Sequence, residues 1–369
     1  MVGDAIFRRN KALSGSAYLF PPFGPLYLSS TKNQREEFFM LKKMSLVVLL
    51  VVSLLVSGCG GSTGENKGGE DITKIGILQL VEHPSLDNAR QGFLDGLKEA
   101  GLEEGKNIQV DYQNSQNDKS NLQTMAKKLV TDKNDLILAI TTDASIVLAN
   151  ETQEIPILIT AVTDPLKANL VESMERPNTN VTGTTDMNPI NEQLDLILEV
   201  VPEVKNLGVI YNAGEINSQV QVDILKELAQ AKGIENVVEA TVTASSEVMQ
   251  GAQSLVGRVD AIYVPTDNTA VSAYATIVQV AEENKIPLFA GEGNSIEQGG
   301  IGTEALDYYN LGKQTAEMAV RVLEGENPAE MAIEAQKDPQ LIINKAGAER
   351  LGVTISDELL SRADKVIEE

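Results

Sequence analysis

From Ile72 onward the chain alternates short β-branched runs with helical patterns, and the whole alternation occurs twice. Period two giving way to period 3.6, and back again, restricts such a chain to parallel α/β layers. The first cycle predicts a strand over 74–80 and a helix over 85–100. Leu86, Ala89, Phe93, Leu94 and Leu97 share one face of that helix, and Gly101 stops it. Further strands are expected over 108–112, 136–141, 157–162 and 181–184. The second cycle opens with a strand over 207–211 and a helix over 218–232. There Val220, Ile224, Leu225 and Leu228 are expected to face inward, with Gly233 as the stop. Strands follow over 237–242, 261–264, 288–290 and 301–305.

The two cycles are related. "DLILAITTD" (135–143), a helix and Ile155-Pro156 correspond to "DAIYVPTDN" (260–268), a helix and Ile286-Pro287. About 300 residues exceed what one core usually supports. The expected architecture is therefore α/β, with two similar doubly wound parallel-sheet domains over 72–186 and 187–306, each of about five strands. The helix over 310–324 and the segment 340–344 come after the second domain is complete. Residues 307–330 are expected to cross back to the first domain and part of 331–369 to rejoin the second. The result is a multi-stranded hinge with a cleft beside it.

In open α/β sheets, ligands bind beyond the carboxyl ends of the strands. In the first domain those loops carry Glu82-His83-Pro84, Thr141-Thr142-Asp143, Thr163-Asp164-Pro165 and Asp186. In the second they carry Asn212, Glu215 to Ser218, Thr266-Asp267-Asn268, Glu292 to Asn294 and Asp307-Tyr308. Hydroxyls, amides and carboxylates crowd these positions, and Lys and Arg are nearly absent. Singly, such residues are ordinary caps and turn formers; the agreement between the halves favours a shared ligand site. The candidate ligand-binding residues are Glu82, Thr142, Asp143, Thr163, Asp164, Asn217, Ser218, Thr266, Asp267, Asn268, Asp307 and Tyr308. Such a lining suits a small zwitterion. Carboxylates would hold an ammonium, and hydroxyls with helix N-terminal amides a carboxylate. A phosphate would call for Arg or Lys. Tyr211, Tyr308 and Tyr309 are the aromatics nearest the expected cleft, and there is no tryptophan.

Catalysis finds little support. His83 is the single histidine, so no histidine-based metal cluster can form, and it is expected to orient its loop. No P-loop or dinucleotide fingerprint is present, and no cofactor is expected.

The single cysteine, Cys59, closes a different pattern. Lys42 and Lys43 precede an apolar stretch, Ser45 to Val56, and then Ser57-Gly58-Cys59. A basic start, a short apolar core and small residues before a cut make a secretory signal over 40–58. The stretch is shorter than the 20 or so residues of a membrane span. The ending resembles the bacterial lipobox, whose cysteine is lipidated, and the Gly/Ser-rich segment 59–71 reads as a tether. The plainer alternative is a buried structural thiol. Residues 1–39 hold five of the seven phenylalanines and show no periodicity; Met40 is the expected start. Residues 1–58 hold seven of the 30 Lys/Arg and three of the 53 Asp/Glu, so the remainder carries 23 basic and 50 acidic residues, a net charge of −27. That balance argues against a nucleic-acid partner.

"VEHPSLDNARQGFLDGL" (81–97), "AVTDP" (161–165), "NVTGTTDM" (180–187), "GVIYNAGEINS" (208–218), "DAIYVPTDN" and "ALDYYNLG" (305–312) together resemble the TrpX-like substrate-binding lipoproteins of ABC importers. The resemblance runs from Lys74 to the C-terminus. It implies a type I periplasmic-binding-protein fold, a binding protein rather than an enzyme, permease and ATPase partners, and an aromatic amino acid as ligand. It also implies an extracytoplasmic, lipid-anchored location. Two loops depart from the family's usual sequence: Thr142-Asp143-Ala144-Ser145 stands in place of Thr-Pro-Ala-Ala, and Gly291-Glu292-Gly293 in place of Gly-Asp-Thr. The added Asp143 carboxylate would favour a more polar or cationic ligand. A sensor signalling to a membrane receptor, and an extracellular enzyme using a carboxylate pair, are the alternatives.

Overall fold

A computed structural model describes residues 72–369. The expected start, the signal-like segment, Cys59 and the tether lie outside the described residues. Lobe 1 is built from β1 (Thr73–Gln79), α1 (Pro84–Glu99), β2 (Ile108–Asn114), α2 (Lys119–Thr131), β3 (Leu136–Ile140), α3 (Thr142–Glu151), β4 (Ile157–Val162) and β5 (Val181–Thr185). Lobe 2 follows with α4 (Ile190–Val200), β6 (Asn206–Tyr211), α5 (Ile216–Ala231), β7 (Asn236–Thr241), α6 (Val248–Leu255), β8 (Ala261–Val264), α7 (Asn268–Ser272), α8 (Tyr274–Asn284), β9 (Leu288–Ala290), α9 (Gly293–Glu297) and β10 (Gly302–Ala305). The chain then returns through α10 (Tyr308–Leu323), β11 (Glu334–Ala335), β12 (Gln340–Asn344), α11 (Lys345–Leu351), α12 (Asp357–Arg362) and β13 (Lys365–Ile367).

The lobe 1 sheet runs β11-β5-β4-β3-β1-β2 with every pairing parallel. Its central strands, LILAI and ILITAV, are buried at every residue, as strands covered on both faces must be. The pleat sorts their side chains. Leu136, Leu138 and Ile140 join the core beneath α1 and α10, whereas Ile137 and Ala139 join the core beneath α2 and α3. The lobe 2 sheet, β7-β6-β8-β9, is also parallel. The halves are less alike than the repeat predicts. The fifth strand of the second cycle, β10, leaves the parallel sheet and pairs antiparallel with β12, which pairs with β13. Its partner is the returning chain, which no repeat within 187–306 supplies.

The chain passes between the lobes at 186–189, 306–307 and 336–339. Helix α10 lies against α1 at a separation only glycine permits. A Cβ on Gly92 would stand 1.9 Å from the Tyr309 carbonyl oxygen, and one on Gly312 would stand 1.9 Å from that of Ala89. This contact seats the returning helix on lobe 1 and so places Tyr308, its first residue, beside the cleft.

Helix α5 buries Leu225 and packs Ile224 and Leu228 against the core as expected, but Val220 faces an outer groove and polar residues join the buried face. Val222, Leu225 and Ala229 are buried together with the polar Asn217, Ser218 and Gln221, while Val220, Ile224 and Leu228 are only half-buried. The first turns of α5 meet the polar loop after β8, which is why Asn217, Ser218 and Gln221 are buried there. Among the described residues no helix is long and apolar enough to cross a membrane.

Candidate functional site

Residues that follow the carboxyl ends of the parallel strands in both lobes close around one narrow cavity of about 10 Å³. That is room for about one water, so a solute enters only when the lobes part. From lobe 1 come His83 and Leu86 after β1, Ala161 and Thr163 at the end of β4, and Asp186 after β5. Lobe 2 supplies Asn217, Thr266 to Asn268, Val271 and Glu292, and α10 supplies Tyr308. Asn117 Nδ2 donates to Thr269 Oγ1 at 3.4 Å and Asn294 Nδ2 to Ser85 Oγ at 3.2 Å, so the lobes touch directly at the rim.

The wall is held by hydrogen bonds to carboxylates. Thr163 Oγ1 donates to Asp186 Oδ1 at 3.0 Å and Tyr308 OH to Asp186 Oδ2 at 2.7 Å. Asp267 caps α7, its Oδ1 accepting from Ala270 N at 2.7 Å. Its Oδ2 accepts from Asn212 N at 2.7 Å and from Ser218 Oγ at 2.6 Å. Behind this loop Glu215 is 4% exposed and accepts from Asn217 Nδ2, from the backbone and side chain of Asn268, and from the backbone and hydroxyl of Thr269. That many donors keep a buried carboxylate in place. Ser295 Oγ donates to Glu292 Oε1 at 3.0 Å. In contrast, both ring nitrogens of His83 and Oγ1 of Thr142 are buried without a partner among the described residues. Buried polar atoms are rarely left so, and His83 faces the cavity.

Burial pushes Asp186 upward against the opposing bonds from Tyr308 and Thr163. Burial, then the Glu215 charge, pushes Asp267 up to about 7. Asp143, half-buried across the cleft, is also raised by burial and then by Glu215, with Lys119 opposing. A carboxyl raised in the folded state holds a proton that the unfolded chain has already released. Its stabilising contribution is full below the ordinary value of 3.8 and disappears as pH rises through about 7. The melting temperature of the ligand-free protein is therefore expected to fall between pH 4 and pH 7, and the Asp267→Asn variant to show a shallower slope. Equal slopes in differential scanning calorimetry would remove Asp267 as the source.

Of the residues singled out from sequence, Thr163, Asn217, Thr266, Asp267, Asn268 and Tyr308 line the cavity. Ser218 stands one bond behind, on Asp267. The others lie elsewhere. Glu82 is exposed. Asp164 closes its own turn, accepting from the amides of Leu166 and Lys167 at 3.0 Å each, and borders an outer groove with Ile216 and Val220. Thr142 is buried at the start of α3 but not in the cavity wall, and Asp307 caps α10 through Asn310 N. Tyr211 bonds Glu239 and Tyr309 bonds Asp95, both away from the cavity. His83, Asp186 and Glu292 do line it. All three stood in the strand-end loops, but nothing local marked them as turned inward.

The family profile described as "ABC transporter substrate binding protein" matches residues 74–367. This chain belongs to the ABC transporter substrate-binding proteins. Its family consists of binding proteins, not enzymes, and its fold is the two-lobed type I periplasmic-binding-protein fold. Clostridioides difficile strain R20291 has a protein named "Tyrosine-binding protein" that is 43% identical over 317 residues, covering 83% of this chain and 92% of that protein. A Streptococcus pneumonia ABC domain solved in complex with L-Trp is 38% identical with a TM-score of 0.78, covering 80% of this chain and 100% of that one. The ligand-free, open structure of a Clostridium difficile substrate-binding protein with adhesive properties is 43% identical, yet its TM-score is 0.62, with coverage of 81% and 100%. The more identical chain superposes less well.

Proposed function

We propose that this protein captures a free aromatic amino acid, tyrosine, tryptophan or phenylalanine, between its lobes and presents it to the permease of an ABC importer. The observation that carries this is the cavity itself: small, lined from both lobes, and holding carboxylates but, among the described residues, no lysine or arginine. The names of the tyrosine-binding relative and of the L-Trp complex support the aromatic class. Leu86, Val271 and Tyr308 offer the apolar surface for a ring, and Asp186, Asp267 and Glu292 offer partners for an ammonium. Closure follows because a ligand touching both lobes binds the closed state better than the open one. Cys59 is proposed as the lipidated residue, holding the receptor outside the cytoplasmic membrane and near the permease.

A thermal-shift screen of the twenty amino acids tests the ligand class. Ligand at about 100 times its Kd stabilises the folded state by about 2.7 kcal/mol, so tyrosine, tryptophan or phenylalanine is expected to raise the melting temperature saturably. No response to any of the three would remove the aromatic assignment. Mass spectrometry of the membrane fraction tests the anchor, with a diacylglyceryl-modified Cys59 peptide expected.

A further inference from the structure

The charge in the cavity is one-sided. Asp186, Asp267 and Glu292 line it, Glu215 is bonded to the same wall, and among the described residues no lysine or arginine lines it. The carboxylates differ in how far their lone pairs are already committed. Glu215 and Asp267 accept several donors from lobe 2 itself. Asp186 accepts one donor on each oxygen, and Glu292, among the described residues, accepts one from Ser295 on Oε1. Asp186 belongs to lobe 1 and Glu292 to lobe 2, both are nearly fully buried, and the Glu292 charge contributes to raising Asp186.

Bringing two such carboxylates together in a closed, desolvated cavity is costly unless a cation comes with them. An ammonium between them supplies that charge, donates to their free lone pairs and ties one lobe to the other. A ligand carboxylate meets the reverse situation. It enters among carboxylates, with no side-chain cation to receive it. The side chain in the wall whose ring nitrogens both lack partners is His83, 7% exposed.

From this asymmetry we propose that the ammonium is the obligatory half of the ligand and the carboxylate the dispensable half, so that the cleft also takes aromatic monoamines of the arylethylamine class. The amine is clamped between Asp186 and Glu292, and His83 is the residue that distinguishes amino acid from amine, because it finds a carboxylate in one and none in the other. The inference rests on the aromatic amino-acid reading for the ring, and on the cavity alone for the charge.

Titration calorimetry on the full chain with L-tyrosine, tyramine and 3-(4-hydroxyphenyl)propionate tests it. Tyramine is expected to bind saturably, within about 100-fold of tyrosine, because one set of hydrogen bonds to a charged group is lost. The propionate, which keeps the carboxylate and lacks the ammonium, is expected not to bind. Glu292→Gln is expected to weaken tyramine by about 10- to 100-fold, and His83→Ala to weaken tyrosine while leaving tyramine close to its original affinity. Tyrosine binding without tyramine binding, or propionate binding as tightly as tyramine, overturns the proposal. If tyrosine, tryptophan and phenylalanine all fail to bind, the amino-acid reading falls instead, and the tyramine and tryptamine titrations still decide the charge argument. Should Glu292→Gln fail to fold, the three-ligand comparison on the unaltered protein decides.

Discussion

Replacing Gly312 with alanine is expected to destabilise the protein by about 1–2 kcal/mol, although alanine is the better helix former. The new methyl would stand 1.9 Å from the Ala89 carbonyl oxygen and 2.9 Å from Phe93 N, so it meets backbone, which cannot swing aside. Overpacking of this kind costs about 1–3 kcal/mol. The gain in helix propensity, about 1 kcal/mol, offsets part of the strain that separating the helices would cause. In a chain of this size the loss corresponds to a fall of about 2–3 °C in melting temperature. Glu317→Ala, at an exposed position on the same helix, serves as the control and is expected to change little. An unchanged melting temperature for Gly312→Ala would mean that α1 and α10 do not approach this closely in solution. The same substitution should also weaken ligand binding, since α10 carries Tyr308, whose hydroxyl holds Asp186.

Asp267→Ala is expected to abolish measurable ligand binding and to cost about 3 kcal/mol of stability. The carboxylate gathers three donors from three separate segments: Asn212 N, Ser218 Oγ and Ala270 N. Truncation leaves all three without it in a nearly fully buried place, and each orphaned donor costs about 1–3 kcal/mol before relaxation. Water entering the space would recover part of that. Asp267→Asn separates the two effects. It keeps the volume and can still accept from one side, so its melting temperature should lie between those of the alanine variant and the parent, while the charge offered to an ammonium is gone. An alanine variant that binds tyrosine as tightly as the parent would take Asp267 out of the site.

The elements were largely legible because strand and helix periodicities are local. Buried strands such as LILAI and ILITAV are continuous apolar runs, and the helix from Pro84 to Glu99 carries its apolar face and its stop in sequence. The polar part of the buried α5 face was not legible. Val220 and Ile224 are the more apolar residues, yet Asn217, Ser218 and Gln221 are buried because Gln221 donates to Thr266 Oγ1 at 2.6 Å and Ser218 to Asp267. Those partners lie 45 and 49 positions away in the chain, beyond any helical window. Asp164 and Asp186 show the same limit within the site. Each follows a strand of lobe 1, and composition cannot separate them. Asp164 spends its carboxylate on its own turn, whereas Asp186 is drawn inward by Tyr308, 122 positions away.

What this sequence determined by itself was a two-fold α/β alternation, the loops that supply the candidate site, and the family. Each depends on residues near one another in the chain. Only the tertiary structure decided which loop residues share a cavity, that His83, Asp186 and Glu292 are among them, and that β10 pairs with the returning chain instead of its own sheet. Those outcomes depend on how closely two helices can approach at Gly92 and Gly312 and on which distant donor reaches a carboxylate first. Neither quantity is written in any local stretch of residues.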